Sequence, residues 1–345
     1  MRLHLAYRRY SQPFRTPVRT AHGVWAEREG VIVRLVNDEG RVGFGEAAPI
    51  PWFGTESIDE IEAQLGALGE WATTEQLAVV PERLGCLRFA LAGALEGVFA
   101  HRVDDHAPYL SVAALLPAGR AVLAAITAKA ELGFRTFKWK VGAGDLADEL
   151  ALLDDVIAAL PSGSRLRLDA NGAWDARQAG RWLERAAERP IEFIEQPCFA
   201  EASQGASQVR RTEDVLRGLA EDYPTPLALD ESLAGANDIE RWLATGWRGV
   251  FIVKPALLGD PTPVMARLAV AKADVVFSSA LETAVGARAA LRVAFSWRVE
   301  KPRALGFGVW PLFKDERLDG PFIAPFFRAE DVARLNPEAV WTALS

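Results

Sequence analysis

Phe137-Lys138-Trp139-Lys140-Val141 decides how this 345-residue chain is read. In an extended strand successive side chains point to opposite faces, so Lys138 and Lys140 share one face while Phe137, Trp139 and Val141 share the other. The apolar face has to pack against helices, which turns both lysines toward the inside of a sheet that closes on itself. Two ammonium groups inside a barrel are costly unless anions offset them.

The anions follow along the chain. Leu166-Arg167-Leu168-Asp169-Ala170-Asn171, Phe193-Ile194-Glu195-Gln196-Pro197 and Leu227-Ala228-Leu229-Asp230-Glu231-Ser232 each run from an apolar strand into a carboxylate. Phe251-Ile252-Val253-Lys254-Pro255 then ends in a further lysine. From about residue 108, β-rich runs at 109–114, 136–141, 165–170, 191–196, 226–231, 249–254, 274–279 and 303–307 alternate with helical patterns such as Ala121–Leu132, Asp145–Leu160, Ala176–Glu188 and Ala284–Trp297. That alternation calls for a parallel α/β sheet, and its length favours a closed barrel. Upstream, Gly30–Val36 reads as a strand, Asn37–Gly40 as a turn and Arg41–Glu46 as the return strand, with helical patterns at 56–70 and 82–101. Strands followed by helices predict an α+β domain.

In barrels of this kind catalytic groups come from the C-terminal ends of strands. Taken singly, a carboxylate there caps a helix or makes a salt bridge, and a lysine there is solvated. Taken together, six such residues on five consecutive strand ends point to one site. Three carboxylates on adjacent strands form an oxygen cage with no Cys or His nearby, a donor set that favours Mg²⁺, or Mn²⁺, over zinc. In a ring of eight, strands two and six stand opposite each other, so Lys138 and Lys140 flank a metal-bound substrate from one side and Lys254 from the other. Arg167 and Glu192 are expected to face the helices as partners, and Glu231 to point away unless its strand breaks.

The chain is 50% hydrophobic and 25% charged, and its net charge of -7 comes without a Lys/Arg block, so no nucleic-acid or membrane partner is expected. Cys86 and Cys198 stand far apart and suggest no disulfide framework. The start lacks an apolar signal core and no run reaches the length of a membrane span, so a cytoplasmic location is expected. All four histidines, His4, His22, His101 and His106, precede residue 107, so chemistry in the last two thirds has to use another base.

A carboxylate beside a divalent cation can accept a second electron pair, so a base that takes the α-proton yields an ene-diolate. Lysine, with a reference pKa near 10.4, is a poor base at neutrality. Lys138 beside Lys140, with a metal close, is expected to lower it toward about 7–8.

Lys138-Trp139-Lys140, Asp169-Ala170-Asn171-Gly172, Glu195-Gln196-Pro197, Asp230-Glu231-Ser232 and Lys254-Pro255 together resemble the enolase superfamily, muconate-lactonizing-enzyme-like subgroup, where Mg²⁺ with a Lys or His base is the known pattern. The resemblance spans the chain. It implies a (β/α)7β modified TIM barrel over 106–307, capped by an α+β domain built from 1–105 and the returning segment 308–345. It also implies Asp169, Glu195 and Asp230 as Mg²⁺ ligands, with Lys140 and Lys254 flanking the substrate. Phe277-Ser278-Ser279-Ala280-Leu281-Glu282-Thr283, the short chain and Asp169–Trp174 resemble the branch of lyases that dehydrate a cyclohexadiene carboxylate bearing hydroxyl and succinyl groups, on the route to menaquinone or phylloquinone. In that branch's terms Lys140 takes the proton and returns it to the departing hydroxide, and Lys254 stabilises the enolate. Lys138 tunes Lys140, Asn171 supports the site, and Ser278 and Ser279 line the succinyl region.

N-acylamino acid racemases and dipeptide epimerases use the same paired lysines. Leu305-Gly306-Phe307-Gly308-Val309-Trp310 lacks the acidic pair that would hold a dipeptide's ammonium. Muconate cycloisomerisation is a further alternative, and acid-sugar dehydration typically needs a barrel histidine. A non-catalytic ligand-binding barrel would have no use for the lysines. Thr20–Trp25 and Pro49–Gly54 offer either lids or interdomain core, Trp25, Trp52 and Phe53 included. The expected partner is a small carboxylate substrate; nothing distinguishes a monomer from a homo-oligomer.

Overall fold

The computed structural model describes residues 1–20, 23–99 and 108–344. His22, His101, His106, part of the 20–25 loop and the expected boundary at 105–106 lie outside the described residues.

The N-terminal sheet is antiparallel, in the order β3-β2-β1-β4, from β1 (Arg2–Thr20), β2 (Gly23–Val36), β3 (Val42–Ala47) and β4 (Trp71–Thr73). β3 and the second half of β2 match the expected strands, whereas β1 is an addition: its register shifts between Pro13 and Val18, so no single two-residue period runs through it. Helices α1 (Ile58–Leu68), α2 (Thr74–Ala78) and α3 (Gly85–Phe99) follow. A capping box starts α1, with Ser57 and Glu60 exchanging side-chain and backbone hydrogen bonds. α3 packs directly on β3. A Cβ on Gly43 or Gly45 would sit 1.8 Å from the carbonyl oxygen of Ala94 or Ala90. Only glycine permits that approach, and it fixes the neighbouring Glu46 inside the molecule.

β5 (Tyr109–Ser111) and β6 (Ala114–Leu116) lead into the parallel sheet. It continues through β7 (Thr136–Lys140), β8 (Arg165–Asp169), β9 (Ile191–Glu195), β10 (Leu227–Leu229), β11 (Val250–Val253) and β12 (Asp274–Phe277). The crossovers carry α4 (Ala121–Glu131), α5 (Leu146–Ala159), α6 (Ala176–Ala186), α7 (Ala206–Asp222), α8 (Ala236–Ala244) and α9 (Pro261–Val270), and α10 (Ala284–Ser296) follows β12. Two expected strands are altered. The first splits, with β5 pairing antiparallel to the tail strand β13 (Phe326–Arg328) and β6 pairing with β7. The eighth shrinks to Leu305-Gly306, which still closes the ring: Leu305 bridges Val112 and Gly306 bridges Ser278, both in parallel sense. Its backbone bonds reach Ser111, Ala113, Phe277 and Ser279.

The two-residue alternation of β7 holds. Phe137 and Trp139 are fully buried on the outer face, where Trp139 meets Trp182 of α6 edge-on at 6.2 Å and Trp182 stacks on Trp174. Arg167 departs from the expectation. It lies two residues below Asp169, hence on the same inner face, and its guanidinium stands 4.8 Å over Phe193 within the barrel's inner cluster. Nε donates to Glu192 Oε2 at 2.6 Å and Nη1 crosses the barrel to the Ala304 carbonyl at 2.8 Å. Glu192 reaches it through a bulge between Leu166 and Arg167, and Arg303 joins the group by pairing with both Glu192 and Asp274. This ion cluster plugs the barrel floor; it does not face the helices.

After α10 the tail returns to the N-terminal sheet. Phe313 bridges Phe14, and backbone bonds join Leu312 to Arg15 and Lys314 to Pro13. α11 (Ala329–Ala333) and α12 (Pro337–Ala343) follow, and Arg8 stacks on Trp341 at 4.2 Å.

Gly45→Ala forces α3 off β3 and should cost about 1–3 kcal/mol of stability through overpacking. Urea denaturation followed by tryptophan fluorescence checks this as a lower midpoint with an unchanged slope.

Candidate active site

Strand register sets the level of the charged side chains. Lys140 stands beside Asp169, Asp169 beside Glu195, and Ala228 beside Glu195, so Asp230 begins one step beyond the same rim. Lys138 Nζ donates to Glu195 Oε1 at 2.5 Å and lies 2.9 Å from Asp169 Oδ2. Lys140 Nζ donates to Asp169 Oδ2 and to Asn171 Oδ1, each at 2.6 Å. Lys254 arrives from β11 on the far side and touches Asp230 Oδ1. The six charged residues and Asn171 thus meet at one end of the barrel.

The contacts of Lys138 hold it as the ammonium. Burial disfavours the Lys138 charge, but Asp169 and Glu195 outweigh it and hold the ammonium well above the usual lysine value. Burial likewise works against the Asp169 charge, and Lys138 and Lys140 overcome it, keeping that carboxyl well below its usual range. Lys254 goes the other way despite touching Asp230. Burial pushes it down to about 7, with Lys138 and Lys140 adding repulsion against the pull of Glu195 and Asp169. A divalent cation drawing on the same carboxylate oxygens would weaken the hold on Lys138.

Glu231 turns inward, as expected only where its strand breaks. β10 ends at Leu229, and the backbone of 230–232 is taken over by Gln196, a fully buried residue at φ 36°. Gln196 Oε1 accepts from the amides of Asp230 (2.8 Å) and Ser232 (3.1 Å), while Nε2 donates to Cys198 O and Ser232 Oγ. This break lets two consecutive carboxylates face the same site. Burial pushes Glu231 up to about 7 and Asp169 adds to it, while Asn171 Nδ2 donates to Glu231 Oε1 at 2.9 Å. Both residues carried sequence signals, the Glu195-Gln196-Pro197 motif and the adjacent acids, but only the strand break connects them.

Among the described residues no group of three or more His, Cys, Asp and Glu stands ready-made around a metal position, because the lysine ammoniums lie between the carboxylates. The donor chemistry nevertheless suits a hard divalent cation. Asp169, Glu195, Asp230 and Glu231 offer only oxygen and are at most 6% exposed, and the buried Glu231 Oε2 has no hydrogen-bond partner.

The cavity above these groups is walled by both parts of the molecule. Lys138, Lys140, Asp169, Asn171, Asp230, Glu231, Lys254, Ser278 and Ser279 line it from the barrel, and Val18, Trp25, Ile50, Trp52 and Phe53 from the N-terminal domain. The two readings of the aromatics therefore coexist. Trp25 and Trp52 pack edge-on at 4.5 Å and still face the cavity, and Lys254 Nζ lies 4.7 Å from the Phe53 ring. Ser278 Oγ donates to Gly306 O and Ser279 Oγ to Glu282 Oε2. Cys86 and Cys198 are free and buried, outside the cavity lining.

Two family models match the chain, "Enolase C-terminal domain-like" over residues 121–325 and "MenC, N-terminal domain" over residues 1–96. An o-succinylbenzoate synthase of Thermosynechococcus vestitus is 38% identical over 308 residues, 88% of this chain and 91% of that protein. The crystal structure of o-succinylbenzoate synthase from Thermosynechococcus elongatus, complexed with Mg in the active site, superposes with a TM-score of 0.80 at 36% identity, covering 90% of this chain and 94% of that one. The L-Ala-D/L-Glu epimerase of Bacillus subtilis shares the fold, with a TM-score of 0.80 at 21% identity over 94% of this chain and 95% of that one.

Gln196→Ala removes the side chain that ties the end of β9 to residues 230–232 and leaves buried amides unsatisfied. It should cost about 3 kcal/mol of stability; urea denaturation of the two proteins side by side checks the value.

Proposed function

The chain belongs to the o-succinylbenzoate synthase family of the enolase superfamily, and from that membership we propose that it carries out the Mg²⁺-dependent syn dehydration of 2-succinyl-6-hydroxy-2,4-cyclohexadiene-1-carboxylate to 2-succinylbenzoate. The observation that carries the reading is the placement of Lys138 and Lys140 on β7 and Lys254 on β11, on opposite sides of the buried carboxylates and in one capped cavity.

Asp169, Glu195 and Asp230 would hold the Mg²⁺, with Mn²⁺ able to substitute in the same oxygen set. An ion held by these residues would supply Lewis-acid charge that makes the C–H next to the substrate carboxylate more acidic. Lys140 Nζ, as the free amine, takes that proton, and the electron pair passes into an ene-diolate. The same ammonium then returns its proton to the hydroxyl on the adjacent ring carbon. The C–O bond breaks, water leaves and the ring becomes aromatic. One lysine serving both steps from one side accounts for syn stereochemistry. Lys254, as the ammonium, opposes the negative charge that develops, a preorganised electrostatic contribution. Lys138, held charged by Asp169 and Glu195, is the cationic neighbour of Lys140 on the same face of β7. Asn171 accepts from Lys140 and donates to Glu231, which fixes the direction of the Lys140 amine. Ser278 and Ser279 line the part of the cavity that would receive the succinyl arm.

Lys254, pushed down to about 7, supports a second reading in which it also exchanges protons and the protein racemises an N-acylamino acid. Residues 305–310 carry no acid for a dipeptide's ammonium. The proposal extends to domain limits at 1–105, 106–307 and 308–345, supported by the separate sheet of β1–β4 and the tail's contacts with β1. It extends also to a cytoplasmic, menaquinone- or phylloquinone-forming role. Two free buried cysteines support that location, and no described helix is long and apolar enough to cross a membrane.

Aromatisation followed by ultraviolet absorbance, with Mg²⁺ or with EDTA, tests the reaction. Fast conversion only with Mg²⁺ is expected. Lys140→Ala should lower kcat by about 10²–10⁴-fold while the Mg²⁺-dependent rise in Tm persists, and Asp230→Asn should abolish that rise. Conversion unaffected by Lys140→Ala would remove Lys140 as the base. α-Proton exchange of an N-acylamino acid in heavy water, without aromatisation, would move the assignment to racemisation.

A further inference from the structure

Two charged residues of the N-terminal domain are buried to about 1% exposure and touch none of the proposed catalytic groups: Arg28 of β2 and Glu46 of β3. Buried charges are retained only where hydrogen bonds satisfy them, so their partners are informative. The Arg28 guanidinium donates to backbone carbonyls in both parts of the molecule. Within its own domain it reaches Glu29 (2.9 Å), Pro49 (2.7 Å) and Ala48. Across the interface it reaches Leu281 (3.1 Å) and Ala280 (3.2 Å), on the loop between β12 and α10. The guanidinium also lies 5.0 Å from the Trp25 ring, whose indole lines the cavity.

Glu46 reaches the other end of that loop. Its carboxylate accepts from the Thr283 amide (2.9 Å), the Gly286 amide (2.8 Å) and the Thr283 hydroxyl, at the first turn of α10, and from Tyr10 O–H at 2.5 Å. An anion there is favoured by the exposed amides and the helix dipole, and here it is delivered by another domain. The loop is closed from inside as well. Glu282 accepts from Ser279 Oγ and the Ala280 amide, and the Leu281 amide donates to Ser279 Oγ at 2.9 Å. Leu281 sits at φ 61°, a conformation that leucine holds only when its surroundings over-determine it. Gly286 is required too, since a Cβ there would meet Glu282 Cβ at 2.8 Å and Glu46 Oε2 at 3.0 Å. The four residues held this way or next to it, Ser278, Ser279, Ala280 and Leu281, all line the catalytic cavity.

We propose that Arg28 and Glu46 are positioning residues: docked on the barrel, the N-terminal domain imposes the shape of the 279–283 loop, so that domain docking and completion of the substrate cavity are one event. The inference rests on the reading of this cavity as the substrate site. Arg28 links the lid-side Trp25 to the loop backbone, and Glu46 anchors where the loop enters α10. Neither acts on the reacting atoms, so their loss changes how well the substrate is held more than how fast bound substrate reacts.

The test compares wild type with Arg28→Met, Arg28→Lys, Glu46→Gln and the barrel-side Thr283→Val, which leaves the N-terminal domain untouched should an Arg28 variant fold poorly. Three readouts are taken: KM and kcat for dehydration, the Mg²⁺-dependent shift in Tm, and amide hydrogen exchange of the 278–286 peptide. Arg28→Met should raise KM about tenfold with kcat changed less than about threefold. Exchange at 278–286 should quicken, with the Mg²⁺ response unchanged. Lysine, a single point donor, should not restore the two-sided contact. Both Glu46 oxygens accept from backbone amides, so Glu46→Gln sets an NH2 group against an N–H and should raise KM and quicken exchange, and Thr283→Val should move both in the same direction. Unchanged exchange at 278–286 in Arg28→Met and Thr283→Val overturns the proposal, as does a KM effect that appears only together with a lost Mg²⁺ response and a general fall in Tm. A wild-type protein that fails to aromatise the cyclohexadiene carboxylate defeats the assigned reaction instead, and the exchange comparison still decides whether the N-terminal domain shapes the loop.

Discussion

The structure turns on the mutual compensation of buried charges at one end of the barrel. Lys138, Lys140 and Lys254 bring three ammoniums into a space where Asp169, Glu195, Asp230 and Glu231 bring four carboxylates. Neither set is tolerable alone in so little water. In-register parallel pairing of β7, β8 and β9 is therefore a chemical requirement as well as a topological one, because a one-residue slip would turn one partner to the helices and strand the other. The surplus negative charge and the unpartnered Glu231 oxygen leave the cluster suited to one further cation.

The same two-residue period that made the site legible also set its limits. Phe137, Trp139 and the two lysines between them announce an outer and an inner face, and the carboxylates at the next three strand ends complete the pattern. Applied consistently, that period also sends Arg167 inward with Asp169. Arg167 and Glu192 therefore do not face the helices: Arg167 is in phase with Asp169, and the bulge opposite Leu166 and Arg167 brings Glu192 into reach. Glu231 turns on the condition attached to it, a strand break: the period ends at Leu229, where Gln196 replaces the strand's own hydrogen bonds. Bulges and breaks leave little trace in composition, and they are what aimed these two side chains.

β1 was hidden by the shift between Pro13 and Val18, and the eighth strand by its reduction to two residues. The latter still closes the ring because Gly306 presents no Cβ to Ser278, whose Oγ would lie 2.6 Å from it. Closure at that point needs close backbone approach more than strand length.

Least visible in the sequence was the interface between the two parts of the molecule. Arg28 is one arginine in a charged stretch, and its partners Ala280 and Leu281 lie about 250 residues away. Nothing local distinguishes it. Yet the barrel supplies the lysines and carboxylates proposed as the reacting groups, while Val18, Trp25, Ile50, Trp52, Phe53 and residues 278–281 supply the walls. In the proposed function the strand-end motifs carry the class of chemistry, proton removal beside a carboxylate, and the walls set the shape of the space a substrate would enter. A wall built from two domains is only as well defined as their docking. That gives a physical reason for buried charges such as Arg28 and Glu46 at the interface: hydrogen bonds to fixed carbonyls and amides are directional, whereas apolar packing alone would allow the loop several arrangements.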